Sequence, residues 1–226
     1  MLSYAILIDA GFAKKKLYPL ENPVTAETFE RFVEGLRAHH VLRCHRLHRV
    51  YFYDAKPLTD EVAHPNGTRV NFGASVTAVA NQALHSGLER ANYFAMRYGE
   101  LVHQGWRIKG RSLRRANPDT QFTTNDLEAN VQQKAVDMRI GLDIASLTLK
   151  KQVDMIVLVT ADSDFIPAMK FARREGAQLV LVTLAHGLRE PVHQHADILI
   201  HEHARTFLRR TPPAPTIDLT PDPSIP

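Results

Sequence analysis

The chain has 226 residues, 44% of them hydrophobic and 23% charged, with a net charge of +4 at pH 7 and a pI near 9.3. That length and apolar share support one well-buried core and exclude a wholly disordered chain. The lone cysteine, Cys44, excludes an internal disulfide framework, and Asp9 interrupts the N-terminal apolar run, so neither a secretory signal nor a membrane span is expected and the expected location is the cytoplasm.

Taken in chain order, the first expected strand is Tyr4 to Ile8, an apolar run that passes directly into Asp9-Ala10-Gly11. A helix is expected from Thr25 to His40 and a strand from Arg49 to Tyr53. The stretch from Ala55 to Ala74 holds Pro57, Pro65, Asn66, Gly67 and Gly73, and reads as a long loop over one end of the sheet, suited to a lid. Helical periodicity continues from Val76 to Gln104, a short strand follows at Trp106 to Lys109, and a second long helix runs from Asn125 to Leu149. The rest alternates: strand Met155 to Thr160, helix Phe165 to Glu175, strand Leu179 to Thr183 and strand Ile198 to Ile200. Strands alternating with helices imply an α/β fold with a mostly parallel sheet covered on both faces. There is no internal repeat. Residues 1–210 read as one domain, and 211–226, with six of the thirteen prolines, as an extended tail.

The most informative run is VDMIVLVTADSDF, Val153 to Phe165, a buried-strand pattern ending in Asp162 and Asp164. Strand ends are where open α/β sheets place their ligands, and Asp9 occupies the same position after the first strand. Carboxylates that converge there raise one another's pKa or require a cation. With oxygen donors and no Cys or His at matching spacing, the favoured ions are Mg²⁺ and Mn²⁺ rather than Zn²⁺. On the expected helix from Asn125, residues Asn130, Lys134, Asp137 and Gly141 share one face, beside an apolar stripe of Val131, Ala135, Met138 and Leu142. Asp137 would then face the carboxylates, with Lys134 one turn earlier to bind a phosphate or orient the attacking water. Asp143 lies about 120° around the helix and is a weaker candidate. Each has an ordinary alternative: Asp162 as the N-cap of the next helix, and Lys134 with Asp137 as a solvated surface pair.

Two basic clusters stand out. Arg107, Lys109, Arg111, Arg114 and Arg115 follow Trp106 and suit a phosphate-contacting, nucleic-acid-binding loop, with a plain solvated loop as an even alternative. Arg43, Arg46 and Arg49 mix with His45 and His48. The pairs His193/His195 and His201/His203 match no closed zinc site and read as exposed strand residues.

Three blocks, ILIDAGF, KAVDMRIGLDIASL and DMIVLVTADSDFIPAMKFARREGAQLVLVTL, resemble those of NYN-domain proteins, LabA-like members of the PIN-like nuclease superfamily. The resemblance covers roughly residues 4 to 200. It implies a three-layer α/β/α fold, a carboxylate site for Mg²⁺ or Mn²⁺, and ribonuclease activity. By position it assigns Asp9, Asp137, Asp162 and Asp164 as metal ligands and Asp143 as the second acidic position of the helix. Many members carry Asn three residues after the first aspartate, where this chain has Phe12, so one amide ligand is missing. The expected partner is nucleic acid, RNA foremost. The Val76 to Gln104 segment has apolar surface enough for either the monomer core or a homodimer.

Competing functions are weaker. A phosphatase using D-x-D at the first strand needs a second aspartate where Gly11 stands, and no G-x-G-x-x-G follows that strand for a dinucleotide. An RNA-binding module of the same fold with little catalysis remains the alternative.

Overall fold

The computed structural model describes residues 1–187 and 190–210. Its strands are β1 (Ser3–Asp9), β2 (Arg46–Ala55), β3 (Glu61–Ala63), β4 (Arg69–Asn71), β5 (Phe94–Ile108), β6 (Leu127–Lys134), β7 (Met155–Val159), β8 (Gln178–Val182) and β9 (Ile198–Ile200). The helices are α1 (Ala10–Leu17), α2 (Ala26–Arg37), α3 (Val76–Leu88), α4 (Gly110–Arg115), α5 (Val136–Leu149), α6 (Ile166–Arg174), α7 (Glu190–His193) and α8 (Ala204–Arg209). Seven strands form one sheet in the order β6-β5-β2-β1-β7-β8-β9, parallel throughout except for β6, which runs antiparallel to β5.

Three layers follow from the strand period of two. On β1, Tyr4, Ile6 and Ile8 point into a core with Phe29, Phe32 and Phe207, while Ala5 and Leu7 point into a second core with Ile140, Phe165 and Met169. The sheet is thus covered by α1, α2, α3 and α8 on one face and by α5 and α6 on the other. The near-continuous apolar runs of β1, β7 and β8 are what a strand buried on both faces requires. Local chemistry sets the helix starts: Thr25 and Thr28 form a capping box for α2, and Pro167 stands in the first turn of α6.

Two expected helices are corrected. The Val76 to Gln104 segment ends its helix at Leu88, turns through Tyr93 at φ 69°, and becomes the 15-residue strand β5, which absorbs the strand expected at Trp106. The Asn125 to Leu149 segment begins with a 3₁₀ turn, continues as β6, breaks at Ala135 (φ 66°) and is helical only from Val136. Lys134 is therefore on a strand, and the expected helical face of Asn130, Lys134, Asp137 and Gly141 does not form. Nor does the expected stripe: Met138 and Leu142 are 71% and 62% exposed, while Val136, Ile140, Ile144 and Leu147 are buried.

Beyond Gly99, the last residue of β5 paired with β2, β5 and β6 project as a two-stranded arm from the carboxyl edge of the sheet. The expected lid, Ala55 to Ala74, contains the β3–β4 hairpin and leans on this arm: Trp106 Nε1 donates to the Ala63 carbonyl at 3.1 Å, and the rings of His64 and Trp106 lie 4.3 Å apart. The expected tail, 211–226, lies outside the described residues. No described helix is long and apolar enough to cross a membrane.

Candidate metal centre at the carboxyl edge of the sheet

Asp9 ends β1 and caps α1. Its Oδ1 accepts from the Phe12 amide at 3.2 Å and its Oδ2 from the Thr160 hydroxyl at 3.1 Å, so both oxygens are fixed while each keeps a lone pair. Thr160, fully buried just after β7, also accepts from the Asp162 amide at 3.2 Å. Asp162 Oδ1 in turn accepts from the Asp164 amide at 2.9 Å, which leaves Oδ2 open. The capping role foreseen as an alternative for Asp162 is real, and it orients the carboxylate rather than consuming it. Asp137 stands in the first turn of α5, placed there by the left-handed residue Ala135.

Asp9, Asp137 and Asp162 border one open cavity of about 920 Å³ together with Gln133, Thr160 and His186. Burial pushes the Asp9 carboxyl above the usual carboxylate range, opposed by its two hydrogen bonds and reinforced by the charges of Asp137 and Asp162. Asp137 is pushed the same way, first by burial and then by Asp162 and Asp164. Asp164 is exposed and does not line the cavity, although its charge reaches Asp137. Among the described residues none of these four carboxylates has a salt-bridge partner. Equally, no three His, Cys, Asp or Glu side chains among the described residues close into a metal cage. The donor set is an open array of carboxylate oxygens around a polar cavity, which matches a hard divalent ion that retains water and does not match zinc.

Other expected site residues lie elsewhere. Gln133 lines the cavity, and alternation along β6 sends its neighbour Lys134 to the opposite face. Asp143 is engaged by Tyr53 Oη and Arg97 Nε, each at 2.8 Å, and does not line the cavity. The basic cluster sits at the end of the arm, where Arg107 pairs with Glu128 and Lys109 holds the Asn125 carbonyl. At 3.3 Å per residue, Arg107 is about 25 Å beyond Gly99.

Sequence reasoning missed Thr160, Gln133, His186, Lys15 and Lys16, all of which line the cavity. For the lysines a signal existed: Lys16 follows Asp9 by seven residues, two helical turns, on the same face of α1. Phe12, where many members of the resembled family carry Asn, presents its ring edge-on to His186 at 5.9 Å, with Lys16 Nζ 6.0 Å from its centre.

Comparison with known proteins gives three results. An uncharacterized protein of Methanocaldococcus jannaschii is 27% identical over 73 residues, 32% of this chain and 30% of that protein, so the match spans under a third of the relative's length. A crystal structure of a protein of unknown function from Vibrio parahaemolyticus superposes with a TM-score of 0.48 at 13% identity, covering 88% of this chain and 91% of the other. The NYN domain profile matches residues 44–203, most of the chain, taking in Asp137, Asp162 and Asp164 and beginning after Asp9. This chain belongs to the NYN domain family of the PIN-like nuclease superfamily.

Proposed function

We propose that the protein is a divalent-metal-dependent nuclease that hydrolyses phosphodiester bonds of RNA, using Mg²⁺ or Mn²⁺ held by Asp9, Asp137, Asp162 and Asp164. The observation that carries this reading is the gathering of Asp9, Asp137 and Asp162 around one open cavity with no cationic side chain paired to them among the described residues. Nucleases are the general activity of the family, and divalent ions are the usual cofactor of the superfamily. Uncompensated like charge of this kind is costly, and a cation or a proton must relieve it.

A hard divalent ion bound there would acidify water and neutralise the charge that develops on the phosphate. The chain's own residues do the positioning. Asp9 is locked by Phe12 and Thr160, so its oxygens are oriented before anything binds. Lys15 and Lys16 hold substrate phosphates at the cavity mouth, and the Gln133 amide takes the water-orienting place first given to Lys134. Phe12 and His186 offer ring surfaces for a base. At the arm's end, the exposed Arg111, Arg114 and Arg115 engage a more distant part of the strand.

A second reading, RNA binding with little hydrolysis, is favoured by one observation: the carboxylates do not close into a cage. The test is cleavage of labelled single-stranded RNA and DNA by the wild type and by Asp162→Asn with Asp164→Asn, in Mg²⁺, Mn²⁺ and EDTA. Metal-dependent cleavage of RNA that the double variant loses supports hydrolysis. Binding without cleavage in either metal supports the second reading.

A further inference from the structure

A second cavity, of about 800 Å³, adjoins the carboxylate cavity and shares one wall residue with it, Lys16. Its floor is apolar, with Leu20, Leu184 and Ala204, and its rim carries Arg205 and Arg209. We propose that this groove, between the carboxyl end of α1 and α8, is a track for single-stranded RNA: the strand leaves the carboxylates over Lys16, and Arg205 and Arg209 contact successive phosphates. The proposal rests on the phosphodiester reading of the neighbouring cavity.

Geometry supports the continuity. Asp9 and Lys16 share one face of α1 and lie about 10 Å apart along its axis at 1.5 Å per residue. Arg205 and Arg209 are four residues apart on α8, so they neighbour each other on one exposed face with Cβ atoms about 6 Å apart. That face is rigidly presented. Phe207 and Ala204 are buried, the Phe207 ring meets Phe32 edge-on at 5.4 Å, and Gly35 of α2 lies so close beneath α8 that an added Cβ would stand 1.9 Å from the Phe207 carbonyl oxygen.

The charge inventory of the groove favours a polyanion. Its acidic neighbours are already matched: Glu202 by Arg210 at 2.9 Å and His39 at 3.2 Å, and Glu21 by Arg31. Lys16, Arg205 and Arg209 have no carboxylate partner among the described residues. A basic rim over an apolar floor is the arrangement that takes a single strand by its phosphates while its bases lie against carbon.

The loop joining the two cavities carries a further mark. Leu184 and Ala185 are consecutive non-glycine residues in the left-handed region, at φ 49° and 54°, and lead straight into His186 and Gly187 of the carboxylate cavity. Such strain persists where surrounding structure enforces it, and it concentrates at ligand clamps.

The test uses the full chain in EDTA, with fluorescence anisotropy of labelled single-stranded RNA of about 6 and about 20 nucleotides, a range that brackets common single-strand site sizes. The variant is Arg205→Glu with Arg209→Glu; both side chains are exposed, and circular dichroism verifies the fold. A milder pair, Arg205→Gln with Arg209→Gln, serves if the reversal disturbs it. The groove predicts that the wild type binds the long strand more tightly than the short one, that the variant loses on the order of tenfold for the long strand, and that its salt slope falls by about 1.4, two single-strand phosphate contacts. Equal affinity and slope in variant and wild type overturn the groove, as does a wild type that binds no RNA. Metal-dependent cleavage by a wild type whose long-strand affinity the variant matches overturns the groove alone. Weakened variant binding in a protein that cleaves nothing keeps the groove and removes the hydrolytic reading.

Discussion

Thr160 joins the two halves of the site: its buried hydroxyl donates to Asp9 Oδ2 at 3.1 Å while accepting from the Asp162 amide at 3.2 Å. One side chain thereby sets the carboxylate of β1 against the turn after β7. Thr160→Val keeps the shape and removes both bonds, so it should cost about 1–2 kcal/mol of stability and weaken apparent Mn²⁺ affinity by roughly 10- to 100-fold. Denaturant unfolding and a metal-dependence curve for RNA cleavage measure the two effects.

Asp9 is held above its ordinary pKa chiefly by burial, so the folded state binds more protons than the unfolded state at pH values just above 3.8. Stability contributed at low pH is therefore lost as pH rises through that window, and at neutral pH the ionised carboxylate is a cost. Asp9→Asn, which retains a good helix cap, should raise Tm in EDTA by about 2–4 °C and flatten this part of the pH profile. In saturating Mn²⁺ the order should reverse, with the wild type more stable. Thermal scans across pH, with and without metal, check both halves.

Behind the site, Asp54 at the end of β2 joins Lys14 Nζ and His85 Nε2, each at 2.7 Å, and Lys14 also reaches Asn81 Oδ1 at 3.0 Å. Burial opposes the Asp54 charge, and the His85 hydrogen bond and the Lys14 ammonium overcome it, leaving the carboxyl below its ordinary range. Its contribution is present above the unfolded pKa near 3.8 and is lost as pH falls through the lower folded value. Asp54→Asn takes the carboxylate away from the partly exposed Lys14 and the buried His85, and should cost about 1–3 kcal/mol at pH 7 and much less under strongly acidic conditions. Urea unfolding at neutral and acidic pH tests this, and equal losses at both would contradict it.

Gly99 marks where the arm leaves the sheet. A Cβ there would stand 2.4 Å from the Lys134 carbonyl oxygen and 2.5 Å from Val136 Cγ2, so Gly99→Ala must displace the start of α5 and with it Asp137. A loss of about 1–3 kcal/mol is the usual scale for such overpacking. Cleavage should fall further than stability alone explains, as single-turnover rates at low temperature would reveal.

What the sequence disclosed, and what it concealed, follows from burial. The strands β1, β7 and β8 are covered on both faces, so their apolar runs are unambiguous, and the aspartates after them are legible as strand-end carboxylates. The arm is the opposite case. Residues of β6, LEANVQQK, are mostly good helix formers and none is fully buried; their strand conformation comes from pairing with β5, a tertiary effect that propensity does not carry. Reading that segment as helix placed Lys134 beside Asp137, whereas Gln133 is the residue that lines the cavity. Asp137 is reached by two routes, a helical face that does not form and the family pattern, and only the second is independent of the wrong helix phase. Thr160 gave no signal of its own, since its importance lies in two hydrogen bonds that only the fold creates.

The most direct test of the central claim is a Mn²⁺ titration followed by electron paramagnetic resonance, comparing the wild type with Asp162→Asn plus Asp164→Asn and verifying the fold of both by circular dichroism. If the carboxylates at the sheet edge form a divalent metal site, the free-ion signal is depleted in a saturable manner by the wild type, and the double variant binds at least tenfold more weakly. A wild type that leaves the free-ion signal unchanged, or a double variant that binds equally well, would contradict the claim.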